Sequence, residues 1–149
     1  MLRISKLTDY ATVVMTCLAR APADVMSAQE LAERAHLELP TASKLLKTLS
    51  HAGLVESFRG VRGGYRLARP AVDITIADVV AAMEGPFGMT ECSAHAGACG
   101  HEPHCSVRGN WRRISDAIES ALRGVTLADM VVDAKPRGRR IPMRVQVEA

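Results

Sequence analysis

The residues of this chain that could do chemistry are concentrated in one short segment. Three of the four cysteines lie within fourteen residues: Cys92, Cys99 and Cys105. Three of the five histidines lie in the same stretch: His95, His101 and His104. Thiolates and imidazoles are the protein ligands that iron and zinc prefer. Because thiols stay reduced in the cytosol, such a cluster predicts a metal centre rather than a disulfide framework.

The cysteine segment, about residues 88–106, has no periodicity typical of a helix or a strand. Gly97, Gly100 and Pro103 interrupt it, and its apolar content is low. Since it cannot offset the conformational entropy of ordering by burying apolar surface, we expect an irregular loop that a bound metal orders. Zinc is an alternative metal. The six and five residues between the cysteines differ, however, from the spacing of two to four that is usual for zinc ligand pairs.

The composition indicates a protein with a real core and an uneven charge. The chain has 149 residues, 48% of them hydrophobic, and a net charge of +3. Residues 1–70 hold ten basic and six acidic residues, 71–134 hold four and nine, and 135–149 hold five and one. This distribution predicts a polyanion-binding face on part of the molecule. The chain has no apolar run long enough to span a membrane and no signal-peptide layout, so we expect a cytoplasmic protein without a membrane partner.

The first seventy residues predict a winged helix-turn-helix. Apolar spacing indicates a helix over about 6–20, and a capping box from Ser27 to Glu30 opens a second helix. After a turn at 36–39, Pro40 opens a third helix that stops before Gly53. The outward face of this third helix is polar, which is typical either of a helix that reads DNA or of a solvated surface. Its residues are Thr41, Ser43, Lys44, Lys47, Thr48 and His51.

A β-hairpin with a glycine-rich tip follows the third helix, which is the position of a wing. Glycines let a backbone approach phosphates closely, and arginines reach phosphates or the minor groove. We expect the following wing residues to contact DNA: Arg59, Arg62, Gly63, Gly64 and Tyr65. Arg66 and Arg69 lie in the same hairpin. One such module makes few contacts, so specificity calls for a dimer that reads two half-sites.

The second half predicts helices that surround the cysteine segment. Thr75 and Asp78 form a capping box that opens one helix, and apolar residues at helical spacing indicate another over 107–123. The apolar stripe of this second helix has few elements to cover it, which predicts a dimerisation helix: Trp111, Ile114, Ile118 and Leu122. A short helix over about 126–132 and a basic, flexible tail at 133–149 complete the chain.

The predicted fold class is therefore mainly α with a small β-hairpin. A winged helix-turn-helix domain occupies residues 1–70. Residues 71–132 form a cysteine loop (88–106) and a dimerisation helix (107–123).

These residues together resemble the IscR/NsrR family of iron–sulfur winged-helix transcription regulators over about residues 1–132. The likeness is carried by the glycine-tipped wing ending in RGGYRLAR, by ITIADVVAAMEG, and by the cysteine triplet followed by a tryptophan-bearing helix. It implies a homodimer with an iron–sulfur cluster, 2Fe–2S or 4Fe–4S, on Cys92, Cys99 and Cys105. The segments MLRISKLTDYATVVM and IPMRVQV look most like the subgroup that regulates the SUF assembly operon.

The resemblance leaves the fourth ligand open. The branch of the family that controls cluster biosynthesis has a histidine three residues after the third cysteine, where this chain has Arg108, which cannot ligate. The nitric-oxide-sensing branch takes a carboxylate from the partner's first helix, and Asp9 matches that position. Asp9 is therefore the leading candidate, contributed by the partner subunit, and its plain role would be a favourable charge at a helix N-terminus. Within the loop His104 is the rival, with His101 and His95 behind it.

The sequence thus predicts a homodimeric transcription repressor that binds double-stranded operator DNA with an affinity set by its cluster. Its expected targets are the SUF iron–sulfur assembly genes. A nitric-oxide-sensing repressor of the same family is one alternative, and a zinc-stabilised module that binds an acidic protein is another. An enzyme is not expected, because the chain has no phosphate-binding or nucleophile motif and its histidines lack a pattern of partner carboxylates.

Overall fold

The computed structural model describes residues 3–132, and over this range it has seven α-helices, two short 3-10 helices and a two-stranded sheet. The α-helices are α1 (Lys6–Arg20), α2 (Ala28–Ala35), α3 (Leu39–His51), α4 (Ile76–Glu84), α5 (Glu91–Ala94), α6 (Arg108–Arg123) and α7 (Leu127–Val131). The strands are β1 (Val55–Phe58) and β2 (Gly64–Leu67), and the 3-10 helices are Ala71–Asp73 and Glu102–His104. The predicted fold class, mainly α with a small hairpin, is confirmed. The predicted tail at 133–149 lies outside the described residues.

Local capping signals set where the helices begin. The Ser27 hydroxyl accepts a hydrogen bond from the Glu30 N–H, and the Glu30 carboxylate accepts one from the Ser27 N–H at 2.7 Å. The predicted box at Thr75 is formed in the same way, and a third opens α7 at Thr126. α3 begins at Leu39, one residue before the predicted start at Pro40, because a proline is tolerated within the first helical turn.

One apolar core joins the two halves of the chain. Helices α1, α2 and α3 bury their apolar faces against each other around residues such as Leu18, Leu31 and Leu45. Ile74 and Leu127, from beyond the wing, belong to the same core, and the Leu127 N–H donates to the Ile74 carbonyl at 2.7 Å. Helices α4 and α7 therefore pack on α1 and hold the second half of the chain against the helix-turn-helix.

The hairpin is fixed both by its own register and by a third segment. β1 and β2 are antiparallel, with Val55 opposite Leu67 and Phe58 opposite Gly64. The backbones of Met26 and Tyr65 exchange two hydrogen bonds of 3.0 and 2.7 Å. The wing is thus attached to the chain just before α2.

The cysteine segment is not the wholly irregular loop that the sequence predicts. It contains α5 and the 3-10 helix at Glu102–His104, so the expectation that no helix lies there is wrong. A single helical turn needs only a cap and no apolar periodicity. Thr90 provides that cap through hydrogen bonds of its N–H and hydroxyl with the Ser93 hydroxyl, both at 2.9 Å.

The helix after the cysteine segment matches its prediction to within one residue. Only Ser115 is buried on α6. Its hydroxyl accepts from the Met89 N–H at 3.0 Å and donates to the Trp111 carbonyl at 2.9 Å. This contact ties the start of the cysteine segment to the middle of α6. Among residues 3–132, no helix is both long and apolar enough to cross a membrane.

Candidate metal centre and DNA-binding face

The outward face of α3 is polar and accessible, as predicted. Lys44, Lys47 and His51 are exposed, and Thr41 and Ser43 are half-buried. The opposite face supplies buried leucines to the core, which fixes the rotation of the helix. The side chains predicted to read DNA therefore lie on one accessible surface.

The wing arginines divide into paired and unpaired groups. Arg66 makes an ion pair with Glu56 at 3.2 Å, and its guanidinium lies 5.0 Å from the centre of the Phe58 ring. Within residues 3–132, Arg59 and Arg62 are exposed and form no ion pair. These two are the candidates that remain available to phosphates.

Arg69, at the base of the wing, is also engaged by its own chain. It lies 3.8 Å from the Asp78 carboxylate and donates to the Asp73 carbonyl at 3.2 Å. It therefore braces the junction between the wing and α4, and it is a weaker candidate for contacting DNA.

The close packing of the fold itself requires glycine at positions 63 and 64. A Cβ on Gly64 would lie 2.4 Å from the Met26 carbonyl oxygen, and one on Gly63 would lie 2.5 Å from the Phe58 carbonyl oxygen. Both distances are far below van der Waals contact, so only glycine fits. Tyr65 is half-buried against the core and carries the hydrogen bonds to Met26.

The three predicted thiol ligands are free but not assembled. Cys92 is buried on α5, with its sulfur 3.3 Å from the Thr90 hydroxyl, whereas Cys99 and Cys105 are half-buried in the loop. Among the described residues, no group of three or more His, Cys, Asp or Glu side chains is arranged to hold a metal ion. Three unpaired thiols in one segment suit an iron–sulfur cluster chemically. The single chain supplies the donors without bringing them together.

The loop histidines do not converge on the thiols. All three are exposed, and the rings of His101 and His104 meet each other edge to face at 6.4 Å. The structure therefore gives His104 no advantage over Asp9 as a fourth ligand.

Arg108, which replaces the family's histidine, is used in a contact that the sequence did not reveal. Its guanidinium forms an ion pair with the Glu102 carboxylate, whose side chain is only 10% exposed. The other oxygen of Glu102 accepts a hydrogen bond from the Gly97 N–H at 2.7 Å. The only signal in the sequence was an acid between two cysteines, six residues before an arginine, which is also typical of a solvated loop.

Asp9 lies exposed in the first turn of α1, on a turn that is held in place from α4. The Glu84 carboxylate accepts hydrogen bonds from the Ser5 N–H at 3.2 Å and from the hydroxyl of Thr8, a residue only 1% exposed. These bonds, those of Ser5 first and then that of Thr8, hold the pKa of the Glu84 carboxyl below its ordinary value. Asp9 itself lines an open cleft beside Lys6, with its carboxylate available to a second molecule.

The predicted dimerisation stripe on α6 is open in the single chain. Trp111 is 39% exposed and Ile114 is 43% exposed. Ile118 and Leu122 are half-buried and line a groove of about 430 Å³ with Phe87. Several large apolar side chains along one face of α6 are thus exposed or partly exposed to solvent.

Comparison with known proteins identifies the family. The Rrf2 family, described as iron-dependent transcriptional regulators, matches residues 4–133. The chain belongs to the Rrf2 family. The HTH-type transcriptional regulator IscR of Vibrio cholerae is 30% identical over 133 residues, which are 89% of this chain and 76% of that protein.

Two solved structures show the same Rrf2 fold. The structure of T. potens IscR is 32% identical with a TM-score of 0.68, covering 90% of this chain and 89% of that one. That of CymR, the global cysteine regulator of B. subtilis, is 31% identical with a TM-score of 0.69, covering 88% and 97%. These likenesses confirm a DNA-binding transcriptional regulator rather than an enzyme. One fold thus serves proteins called IscR and CymR, so the fold alone does not specify the signal that a regulator senses.

Proposed function

We propose that this Rrf2-family chain is a homodimeric transcription repressor whose operator affinity depends on an iron–sulfur cluster held by Cys92, Cys99 and Cys105. The observation that carries the proposal is three free thiols in one segment that is attached to α6 beside a winged helix. A bound cluster supplies a centre that changes its redox state or is lost under oxidants. The likeness to IscR proteins and the family's description as iron-dependent support this reading over a zinc site.

The fourth ligand in this proposal is Asp9 of the partner subunit. Asp9 is exposed, and the bonds between Glu84 and the first turn of α1 fix its position. Arg108 cannot ligate and is paired with Glu102. A ligand set completed across the dimer is consistent with the incomplete set in the described part of one chain.

The dimer would form through the apolar stripe of α6. The large apolar side chains of Trp111 and Ile114 are exposed to water in the single chain. Burying them in a dimer interface favours association. A second copy of the same stripe is complementary to it, since a two-fold interface uses the same patch on both subunits.

DNA binding would use the outward face of α3 in the major groove and the wing beside it. Thr41, Ser43, Lys44 and Lys47 would contact bases and phosphates, while Arg59 and Arg62 would reach the backbone or the minor groove. Helix α5 packs on α6, α6 on α4, and α4 on both α1 and α3. A rearrangement of the cysteine loop therefore has a packed route to the recognition helix within one subunit.

The proposed targets are the SUF iron–sulfur assembly genes. The support for them is the resemblance of the two terminal segments to the subgroup that controls that operon. Footprinting of the SUF promoter with the purified protein tests this part separately.

The cluster is tested by purifying the protein without oxygen and recording ultraviolet–visible and Mössbauer spectra. Cys→Ala changes at 92, 99 and 105 should abolish the visible absorption and alter operator affinity. Cys17, half-buried on α1 and outside the loop, supplies the matched control Cys17→Ala, which should retain both properties. Colourless wild-type protein, together with unaltered affinity in all three variants, would refute the proposal.

The cross-subunit ligand is tested by complementation. Co-expressed Asp9→Asn and Cys92→Ala chains form a mixed dimer with one complete ligand set if Asp9 acts on its partner, and none if it acts on its own chain. We expect the mixed dimer to hold about half the wild-type iron. Neither homodimer should hold a four-ligand cluster, and an iron-free mixed dimer would contradict the assignment.

DNA as the partner is tested by the salt dependence of operator binding. Arg62→Ala should reduce the slope of log affinity against log salt by about one, because one phosphate contact is lost. Arg66→Ala is the matched control from the same wing and should change the slope little, since Arg66 is already paired with Glu56. A wild-type slope near zero would favour an acidic protein as the partner.

A further inference from the structure

The loop that carries Cys99 and Cys105 is closed on itself by one carboxylate. Glu102 lies between these two cysteines, and its side chain is only 10% exposed. One carboxylate oxygen pairs with Arg108 in the first turn of α6, and the other accepts the Gly97 N–H at 2.7 Å. Both oxygens of this carboxylate are therefore bonded to the two ends of a single loop.

This arrangement restricts where the two thiols can go. Gly97 and Arg108 bracket the segment, and Glu102 ties both of them at its middle. Cys99 follows Gly97 by two residues. Cys105 lies three residues after Glu102 and three residues before Arg108. The loop that carries both thiols is therefore closed by contacts of the chain itself.

Cys92 is held by a different device. It is buried on α5, where Thr90 caps the helix and contacts the sulfur at 3.3 Å. The three thiols thus belong to two separately ordered pieces, a helical turn and a closed loop.

We propose that Glu102 and Arg108 form a clasp that closes the loop carrying Cys99 and Cys105 onto the first turn of α6 in the protein without its cluster. Arg108 is then a positioning residue for the thiols in place of a ligand. The closure of the loop stands on its own, whereas its role in cluster uptake rests on the proposed function.

The clasp would favour cluster uptake by ordering the loop beforehand. Fixing the backbone of a loop costs conformational entropy, which otherwise opposes ligand binding. Arginine suits the task because it stays charged and presents several donors in a fixed plane. A carboxylate that is mostly shielded from water makes stronger charge-assisted hydrogen bonds than an exposed one.

The closure is tested on the cluster-free protein by hydrogen exchange and by thiol alkylation. Arg108→Ala and Glu102→Gln should speed exchange of the Gly97 amide and its neighbours about tenfold, because a charge-assisted contact closes the loop. Alkylation of Cys99 and Cys105 should speed up as well, while that of Cys17 stays unchanged as an internal standard. Arg112→Ala is the matched control: Arg112 lies one turn further along α6, is exposed, and forms no ion pair in the described structure.

A milder substitution guards against general misfolding. Arg108→Lys keeps the charge but loses the planar fork, so its exchange rate should fall between those of wild type and Arg108→Ala. Equal exchange in Arg108→Ala and Arg112→Ala would overturn the clasp.

The role in uptake is tested by rebuilding the cluster from iron and sulfide under anaerobic conditions. The clasp variants should gain visible absorption about tenfold more slowly than wild type and Arg112→Ala, in proportion to their faster loop exchange. A loosened loop with unaltered uptake would overturn the positioning role. Wild-type protein that takes up no cluster would overturn the proposed function and the uptake role together, while the exchange data would still decide the clasp.

Discussion

Gly64 should be essential for attaching the wing, for a reason that lies inside the protein. A methyl group at this position would lie 2.4 Å from the Met26 carbonyl oxygen and 2.6 Å from its carbon. Both atoms are backbone, so no side-chain rotation can relieve the clash. In Gly64→Ala the wing therefore has to move away from the segment that precedes α2.

The expected loss of stability follows from the contacts that this movement breaks. Met26 and Tyr65 exchange two backbone hydrogen bonds, at 3.0 and 2.7 Å, each contributing about 1 kcal/mol net. Residual overpacking typically costs about 1–3 kcal/mol more. Gly64→Ala should therefore lower the free energy of unfolding by about 3–5 kcal/mol, a large share of the stability of a small domain. For a chain of this length, the midpoint of thermal unfolding should fall by about 10 °C.

Thermal unfolding followed by circular dichroism measures this loss of stability. The affinity of each variant for operator DNA is measured as well, at 25 °C. The control is Gly100→Ala, where a Cβ meets nothing within 4 Å and the backbone is not in the left-handed region. If Gly64→Ala unfolded at the same temperature as Gly100→Ala, the packing argument would be refuted. If it kept its stability but lost DNA affinity, the glycine would instead serve the approach of a phosphate.

Three further predictions concern the core, the helix that follows the loop, and pH. Leu45→Ala, at a fully buried site on α3, should cost about 2–5 kcal/mol of unfolding free energy in urea titrations; a loss below about 1 kcal/mol would contradict the core assignment. Gly109→Ala, in the first turn of α6 with nothing near its Cβ, should raise the unfolding free energy by up to about 0.5 kcal/mol, and a concentration-dependent loss would instead reveal a partner chain close to this position. Because the pKa of Glu84 is lowered in the folded state, its carboxylate stabilises the protein above about pH 4.5, and this contribution disappears as the pH falls through the folded pKa. Glu84→Gln should therefore be less stable than wild type at pH 7, and the difference should shrink as the pH falls below about 4.5 and through the folded pKa; a difference that stays constant in acid would argue against the linkage.

Local signals made the helices and the wing predictable from the sequence. Capping boxes at Ser27 and Thr75 mark helix starts because the hydrogen bonds that define them join residues three apart. The apolar period over 107–123 gave α6 to within one residue for the same reason. Such elements need no knowledge of the rest of the fold.

The division of the wing arginines depends on strand register, which a list of residue types does not contain. β1 and β2 pair so that Glu56 lies opposite Arg66, and this cross-strand position allows their ion pair. Arg59 and Arg62 lie outside the paired strands and meet no such partner in the described structure. The four arginines therefore look equivalent in sequence and differ in the folded hairpin.

The order of the cysteine loop depends on a contact that composition does not reveal. Low apolar content implies little stabilisation by hydrophobic burial, but it says nothing about a carboxylate that bonds both ends of a loop. An isolated acid between cysteines is usually solvated, so Glu102 carries no signal in the sequence, and Arg108 is notable there only because an arginine cannot ligate a metal. In the structure the Glu102 carboxylate and the Arg108 guanidinium form an ion pair with each other. An arginine at this position removes a ligand from the loop and also fixes the loop's end, so a missing fourth ligand and an ordered cluster-free loop are expected to occur together. The closest test of that link is Arg108→His, which should restore an imidazole ligand while loosening the loop, so that cluster stability and loop exchange would both increase.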